Sequence, residues 1–144
     1  VRVWWLSLAG FVIAGLDYRF QWLPMPTCVT IAASVVFILA YLMYAEVLRE
    51  NTNLSRTIEV REGQRVIDTG LYGIVRHPMY TATVFLFLAM PLVLGSLLSL
   101  VVFLVYPFII AKRIKGEEEF LERELEGYAQ YKQKVKYRMI PFIW

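Results

Sequence analysis

An arginine, a histidine and a proline stand together in the sequence YGIVRHPMY, residues 72–80, where a polar stretch gives way to an apolar one. His77 is the only histidine of the chain. Proline is favoured in the first turn of a helix, where its missing N–H costs nothing, so Pro78 predicts the start of a helix. Such a helix end exposes backbone N–H groups that favour an anion, and with Arg76 beside it the site could hold a carboxylate.

The same residues also allow a purely structural interpretation, in which Arg76 anchors at the lipid headgroups and His77 caps its own helix. The apolar run 78–94 spans roughly 25 Å of helix at about 1.5 Å per residue, less than a bilayer core of about 30 Å. We therefore expect the start of this helix to lie below the membrane surface. Ionisable residues at that depth are costly and usually serve a function, which favours the functional interpretation.

A second group of charged residues lies in AKRIKGEEEFLERELEGYAQY, residues 111–131. Arg113 and Glu117 are four residues apart and would share one face of a continuing helix. Because a turn near Gly95 would fold the third and fourth apolar runs into a hairpin, we expect Arg113 to return to the side of His77.

Long apolar runs predict that membrane helices position these groups. Of the 144 residues, 58% are hydrophobic, and the mean hydropathy is +0.53. The apolar residues form continuous runs rather than amphipathic stripes. Only the second run is comfortably long, since about 20 helical residues are needed to cross a bilayer. The four candidate spans are 3–16, 27–48, 78–94 and 97–110.

The basic residues predict the orientation, because short cytoplasmic loops are rich in Lys and Arg. With the N-terminus and Arg2 placed in the cytoplasm, Arg19 is the only one of the fifteen basic residues in a loop predicted on the other side of the membrane. We therefore expect a multi-pass protein with four spans, both termini in the cytoplasm and the site on the cytoplasmic side. The other basic residues lie between the second and third runs (Arg49, Arg56, Arg61, Arg65 and Arg76) or between Lys112 and Arg138.

Several site classes are excluded by what the sequence lacks. The single Cys28 permits no intrachain disulfide, CxxC pair or Cys-rich zinc site, and one His with one Cys does not furnish the usual metal ligands. Gly63, Gly70 and Gly73 are spaced too widely for a Rossmann fingerprint. The net charge of +3 comes mostly from the cytoplasmic flanks, so we expect neither a metal nor a nucleic-acid partner.

Two motifs in order, G-x-Y-x-x-x-R-H-P-x-Y at 70–80 and R-x-x-x-E-E at 113–118, resemble the isoprenylcysteine carboxyl methyltransferase family, to which the phospholipid N-methyltransferases are related. The resemblance covers roughly 53–141, and the first two runs match only as generic spans. It implies an all-α, polytopic integral membrane helical bundle of about four transmembrane helices, with a C-terminal helical hairpin and a cytoplasmic cofactor pocket. The expected domain is 1–144, with two spans in 1–50 and the cofactor-binding part in 51–144.

The resemblance also implies an S-adenosylmethionine-dependent methyltransferase acting on a lipid-embedded acceptor. By position, Arg113 would be the catalytic and substrate-binding residue. Family members often have His where Gln64 stands and a small Gly near Thr81 and Ala82, and these departures bear on the acceptor. The residues that would bind S-adenosylmethionine are Gln64, Arg65, Val66, Ile67, Tyr72, His77, Pro78, Met79, Tyr80 and Glu117.

The acceptor is expected to be the carboxylate of a prenylated cysteine or a similar lipid-linked acid. A carboxylate is already anionic at neutral pH, whereas a lipid amine must first lose a proton to a general base. Arg113 could pair with a carboxylate through two parallel hydrogen bonds. The alternatives are a phospholipid (ethanolamine) N-methyltransferase, a sterol-reductase-like enzyme using NADPH, and a non-catalytic membrane partner.

Overall fold

The computed structural model describes residues 2–52 and 60–144, and within these ranges the chain is helical and contains no strand. The all-α class predicted from the sequence is therefore confirmed for the described residues. A 3₁₀ turn at Gly70–Gly73 precedes the third helix. The helices are α1 (Arg2–Phe20), α2 (Thr27–Glu50), α3 (Pro78–Val93), α4 (Leu97–Phe103), α5 (Tyr106–Glu124) and α6 (Tyr128–Lys134).

Helix α2 combines an apolar sequence with exposed side chains. It runs for 24 residues, yet only 11% of its most apolar stretch is buried inside the protein. The apolar stretch Leu97–Glu124, which contains α4 and α5, is also long enough to cross a membrane and is 28% buried, while α3 is apolar but shorter. Apolar helices that leave most of their surface unburied suit a lipid environment rather than water. The chain is an integral membrane protein.

Two helix starts agree with the sequence, and one predicted span contains a break between two helices. Helix α2 begins at Thr27 and α3 begins at Pro78, as predicted. The predicted span 97–110 lies within the apolar stretch Leu97–Glu124, but Leu104 and Val105 interrupt it between α4 and α5. Pro107 explains the break, since proline fits the first turn of a helix and cannot donate the hydrogen bond that would continue the preceding one.

The chain forms two compact units, each assembled from two separate stretches. The first unit contains the chain up to Leu42 together with Ala82–Ile109. The second unit contains Met43–Thr81 and Ile110–Trp144, and it holds both charged motifs. The expectation of one domain over 1–144 stays a prediction.

In the first unit, α1 and α4 meet through buried polar contacts and a glycine. Ser96 donates from Oγ to Oδ2 of the buried Asp17 at 2.7 Å. The same Oγ accepts from the Ser99 backbone nitrogen, and Ser99 Oγ donates to the Gly10 carbonyl at 2.7 Å. A Cβ added at Gly10 would lie 2.4 Å from the ring of the fully buried Phe103. Gly10 is therefore required for the close approach of the two helices.

In the second unit, α6 packs against the connector that leads to α3. The described connector, residues 60–69, has neither helix nor strand. Its apolar side chains cover one face of α6 and the end of α5. The buried cluster consists of Leu125, Tyr128, Tyr131 and Val135, with Val60, Val66 and Leu121 packed against it.

We predict that Gly10→Ala lowers the melting temperature of the protein in detergent, because the new methyl group overlaps the Phe103 ring. Overpacking of this kind costs about 1 to 3 kcal/mol. Gly15→Ala is the control, since a Cβ there meets nothing within 4 Å and alanine favours the same helix. Equal melting temperatures for the two variants would contradict the close packing.

Candidate functional site

A buried carboxylate, that of Glu118, is the centre of the charged cluster in the second unit. Glu118 is 2% exposed. Arg76 Nε lies 2.7 Å from Oε1, His77 Nε2 lies 3.1 Å from the same oxygen, and Arg138 Nε lies 2.9 Å from Oε2. Because a carboxylate only accepts hydrogen bonds, His77 carries a proton on Nε2. Both oxygens of the carboxylate are thus held by donors from two other parts of the chain.

The segment that enters α3 is paired with the segment that follows α6. The backbone nitrogens of Arg76 and His77 donate to the carbonyls of Tyr137 and Arg138 at 2.9 and 2.8 Å. Arg76 also donates from Nη1 to the Val135 and Lys136 carbonyls. These bonds, together with the bond from Nε to Glu118, hold the Arg76 side chain inside the protein and fix the start of α3.

The hydroxyl of Tyr80 joins the two other predicted site residues on α5. Arg113 donates from Nε to Tyr80 Oη at 2.8 Å, and the hydroxyl donates to Glu117 Oε2 at 2.7 Å. Arg113 and Glu117 do share a face of α5, as their spacing predicted, and they meet the first turn of α3, close to His77. Arg113 is exposed and Glu117 is half-buried, so this group opens outward from Glu118.

Tyr72, the residue expected to bind the cofactor within the 3₁₀ turn, is held from two sides. Its hydroxyl accepts a hydrogen bond from Asn51 Nδ2 at 2.9 Å, and its carbonyl accepts from the Tyr131 hydroxyl at 2.7 Å. Burial raises the pKa of both phenols, so each stays protonated at neutral pH. The turn before α3 is therefore tied to both α6 and the end of α2.

The predicted segment Gln64, Arg65, Val66 and Ile67 runs along α6. Gln64 Oε1 accepts from the Arg61 nitrogen at 2.9 Å, and Val66 belongs to the apolar cluster on α6. A hydrogen bond from Lys134 to Asp68, at 2.8 Å, lowers the pKa of that carboxyl and closes the connector onto the helix. A cleft of about 240 Å³ opens here, lined by Val66, Asp68, Gly127, Gln130, Tyr131 and Lys134.

The structure changes the interpretation of the Arg-His-Pro motif in one respect. A carboxylate does lie against Arg76 and His77, as the residue types suggested, but it is the chain's own Glu118. Pro78 is buried as the first residue of α3, and Met79 is half-buried behind it. The His77 ring already has a hydrogen-bond partner within the protein, the Glu118 carboxylate.

Glu118 and Arg138 were missed as site residues by the sequence analysis, although the sequence held a signal for Glu118. It stands one turn after the buried Ile114 on α5, in line with the buried Leu125 that follows the helix. A charged residue on an otherwise apolar stripe predicts a buried partner. Arg138 follows α6 in a segment without helical periodicity, and no pattern there marked it. Among the described residues, no group of three or more His, Cys, Asp and Glu side chains is placed to hold a metal.

We predict that Glu118→Gln destabilises the protein by about 3 to 5 kcal/mol, the usual cost of leaving one partner of a buried ion pair uncompensated. The variant keeps the side-chain size and removes the charge that Arg76 and Arg138 share. Glu119→Gln is the matched control, because Glu119 is adjacent to Glu118 but its side chain is exposed. Chemical or thermal unfolding in detergent measures the difference, and a loss no larger than that of the control would contradict the role assigned to Glu118.

Comparison with known proteins supplies relatives for the fold and for the sequence. A solved structure of the eukaryotic intramembrane Ras methyltransferase ICMT (isoprenylcysteine carboxyl methyltransferase) superposes with a TM-score of 0.79 at 20% identity, over 99% of this chain and 53% of that one. The Delta(14)-sterol reductase of Mus musculus is 29% identical over 91 residues, which is 61% of this chain and 22% of the reductase. The chain thus spans about half, or less, of the length of these two proteins.

A family profile matches residues 27–123. The match starts at the first residue of α2, so the second apolar run belongs to the shared region, and the expectation that it matches only as a generic span is wrong. The match contains both charged motifs of the second unit. The chain belongs to the isoprenylcysteine carboxyl methyltransferase (ICMT) family.

Proposed function

We propose that this protein is an S-adenosylmethionine-dependent methyltransferase that acts on the carboxylate of a lipid-linked acid such as a prenylated cysteine. Membership of the family supports methyl transfer. The observation that carries the proposal is the Tyr80 hydroxyl, which bonds both Arg113 and Glu117. One hydroxyl thereby sets the distance between the residue expected to face the acceptor and a residue expected to bind the cofactor.

The chemistry of the side chains fits this cofactor. The half-buried carboxylate of Glu117 suits a polar or cationic group, and the buried ring of Tyr72 and the apolar Val66 suit a flat, weakly polar one. S-adenosylmethionine, when bound, would supply a methyl group on a positively charged sulfur. The acceptor oxygen would bond to the methyl carbon in one step, and S-adenosylhomocysteine would leave. The protein's own task is to align the acceptor, and no covalent intermediate with the chain is needed.

Arg113 has the properties needed to hold an acceptor carboxylate. Its side chain is exposed, and its Nε is bonded to Tyr80, which fixes the plane of the guanidinium. A planar guanidinium can pair with a carboxylate through parallel hydrogen bonds, and a carboxylate at neutral pH requires no general base. A phospholipid amine would need a group to take its proton, and the His77 ring is already bonded to Glu118. The carboxylate acceptor is therefore preferred over the ethanolamine lipid.

The proposed topology has four spans with both termini and the active site on the cytoplasmic side. Arg113 and the Arg-His-Pro motif lie in the part of the chain richest in basic residues, which is the pattern of a cytoplasmic face. We retain the single domain over 1–144, with 51–144 as its cofactor-binding part. Long basic side chains such as Arg113 can keep their stems among lipid tails while the charge reaches the water layer.

We predict that the purified protein binds S-adenosylmethionine and that Glu117→Ala weakens the affinity about ten- to a hundredfold. Loss of one hydrogen bond to a charged group costs about 1.5 to 3 kcal/mol. Calorimetry in detergent measures the binding, and Glu124→Ala on the same helix is the control, since it is exposed and lies two turns away. His77→Ala is unsuitable for this purpose, because it also removes a bond to Glu118.

The absence of any binding heat at millimolar cofactor, from protein shown to be folded, would overturn the proposed activity. Equal losses in Glu117→Ala and Glu124→Ala would leave the activity standing but remove Glu117 from the binding site.

We predict that Arg113→Lys lowers turnover about ten- to a hundredfold at saturating cofactor while leaving cofactor affinity nearly unchanged. Lysine keeps the charge but cannot form two parallel hydrogen bonds or replace the Nε bond to Tyr80. Methyl transfer is measured on a prenylated-cysteine analogue and on an ethanolamine lipid. Lys115→Ala, another exposed cation on α5, should have little effect. Transfer to the amine alone, with Arg113→Lys tolerated, would establish the phospholipid N-methyltransferase instead.

The sterol reductase relative favours one second candidate, a reductase that uses NADPH. Both candidates use an adenosine-containing cofactor, so the same connector and helices could serve either. Calorimetry with NADPH in place of S-adenosylmethionine separates them, because NADPH carries phosphates and S-adenosylmethionine carries none. Binding of NADPH alone would favour the reductase, and binding of neither would favour a non-catalytic membrane partner.

A further inference from the structure

The hydroxyl of Tyr128 has no partner inside the protein. Tyr128 is 4% exposed, and its Oη is the one fully buried side-chain nitrogen or oxygen, among the residues the structure describes, that makes no hydrogen bond. More than nine in ten buried polar groups in proteins are paired, because an unpaired one loses its bonds to water without replacement. No group among the residues that the structure describes pairs with this hydroxyl, so its hydrogen bond is available to a bound molecule.

The neighbouring tyrosine on α6 shows that the unpaired hydroxyl is not a general property of this cluster. Tyr131 lies one turn further along the helix, and the two ring centroids are 5.7 Å apart. The Tyr131 hydroxyl is also buried but donates to the Tyr72 carbonyl at 2.7 Å. The two phenols thus share an environment and differ in one bond.

Two of the residues predicted to bind the cofactor, Val66 and Glu117, are among the neighbours of Tyr128. Val66 packs against its cluster, and Val66 Cγ2 lies 3.9 Å from the position of a Cβ at the adjacent Gly127. The charged groups that act on the hydroxyl include Glu118, Arg76 and Glu117. Burial raises the pKa of Tyr128, so the hydroxyl keeps its proton at neutral pH and is available as a donor.

We infer that the Tyr128 hydroxyl donates a hydrogen bond to the bound adenosine-containing cofactor and is a cofactor-binding residue in addition to those predicted from the sequence. This inference rests on the proposed function, since it places that cofactor between α6 and the connector. Tyr128 is the first residue of α6 and lies outside the residues matched by the family profile. The inference gives this residue a direct contact with the cofactor.

The test compares Tyr128→Phe with Tyr131→Phe, two variants that each remove one hydroxyl and keep the ring. In the ligand-free protein, Tyr128→Phe should leave the melting temperature unchanged or raise it, because the hydroxyl it removes has no partner. Tyr131→Phe should lower it, because the bond to Tyr72 is lost. In calorimetry with S-adenosylmethionine and S-adenosylhomocysteine, Tyr128→Phe should raise Kd about tenfold, which corresponds to about 1.4 kcal/mol.

Two results with the variants would overturn the inference, and one result with the wild-type protein would do so as well. One is a Kd of Tyr128→Phe within twofold of wild type. The other is a fall in the ligand-free melting temperature as large as that of Tyr131→Phe, which would assign the hydroxyl to an internal water. If wild-type protein binds NADPH but not S-adenosylmethionine, the proposed function is refuted and the inference is not. A Kd for NADPH about tenfold higher in Tyr128→Phe than in wild type would then support the inference. Wild-type protein that binds neither cofactor would overturn both.

Discussion

Burying the Glu118 carboxylate is costly unless its charge is compensated and its oxygens are bonded, and the second unit is built around meeting that requirement. Arg76 and Arg138 bring two positive charges to one negative charge, and His77 adds a third donor. The excess positive charge is spread over backbone carbonyls, since Arg76 Nη1 bonds two of them. A single carboxylate therefore fixes α5, the entry into α3 and the segment after α6 together.

Adjacent glutamates have opposite environments because neighbouring residues on a helix point about 100° apart. Glu118 faces inward and is closed by three donors, whereas Glu117 is half-buried and meets the Tyr80 hydroxyl. The inward glutamate anchors the helix, so the outward one is held at a fixed position beside Tyr80 and Arg113. Binding groups supported by a rigid neighbour in this way are better suited to positioning a substrate than groups on a mobile loop.

The sequence predicted the elements whose signals are local. Pro78 marked the start of α3 because proline is favoured in the first helical turn, and the four-residue spacing of Arg113 and Glu117 placed them on one face. The break at Pro107 was also local and was overlooked in favour of the continuous apolar run. The anion for Arg76 was not predicted, because Glu118 lies 42 residues away and the apolar stripe that marks it as the inward glutamate does not name its partner. Arg138 depends on a tertiary path that has no periodicity.

The pairing between the start of α3 and the segment after α6 has a consequence for the order of assembly during synthesis. Arg76 bonds carbonyls 59 and 60 residues later in the chain, and the intervening stretch contains α3, α4 and α5. Contacts of such sequence separation form late, since the entropy of closing the loop is lost before the contact is made. The ribosome thus synthesises helices α1 to α5 before Arg76 can meet its partners. During that interval Arg76 must remain with water or lipid headgroups, so its charge can help to retain the preceding segment on one side of the membrane before becoming buried.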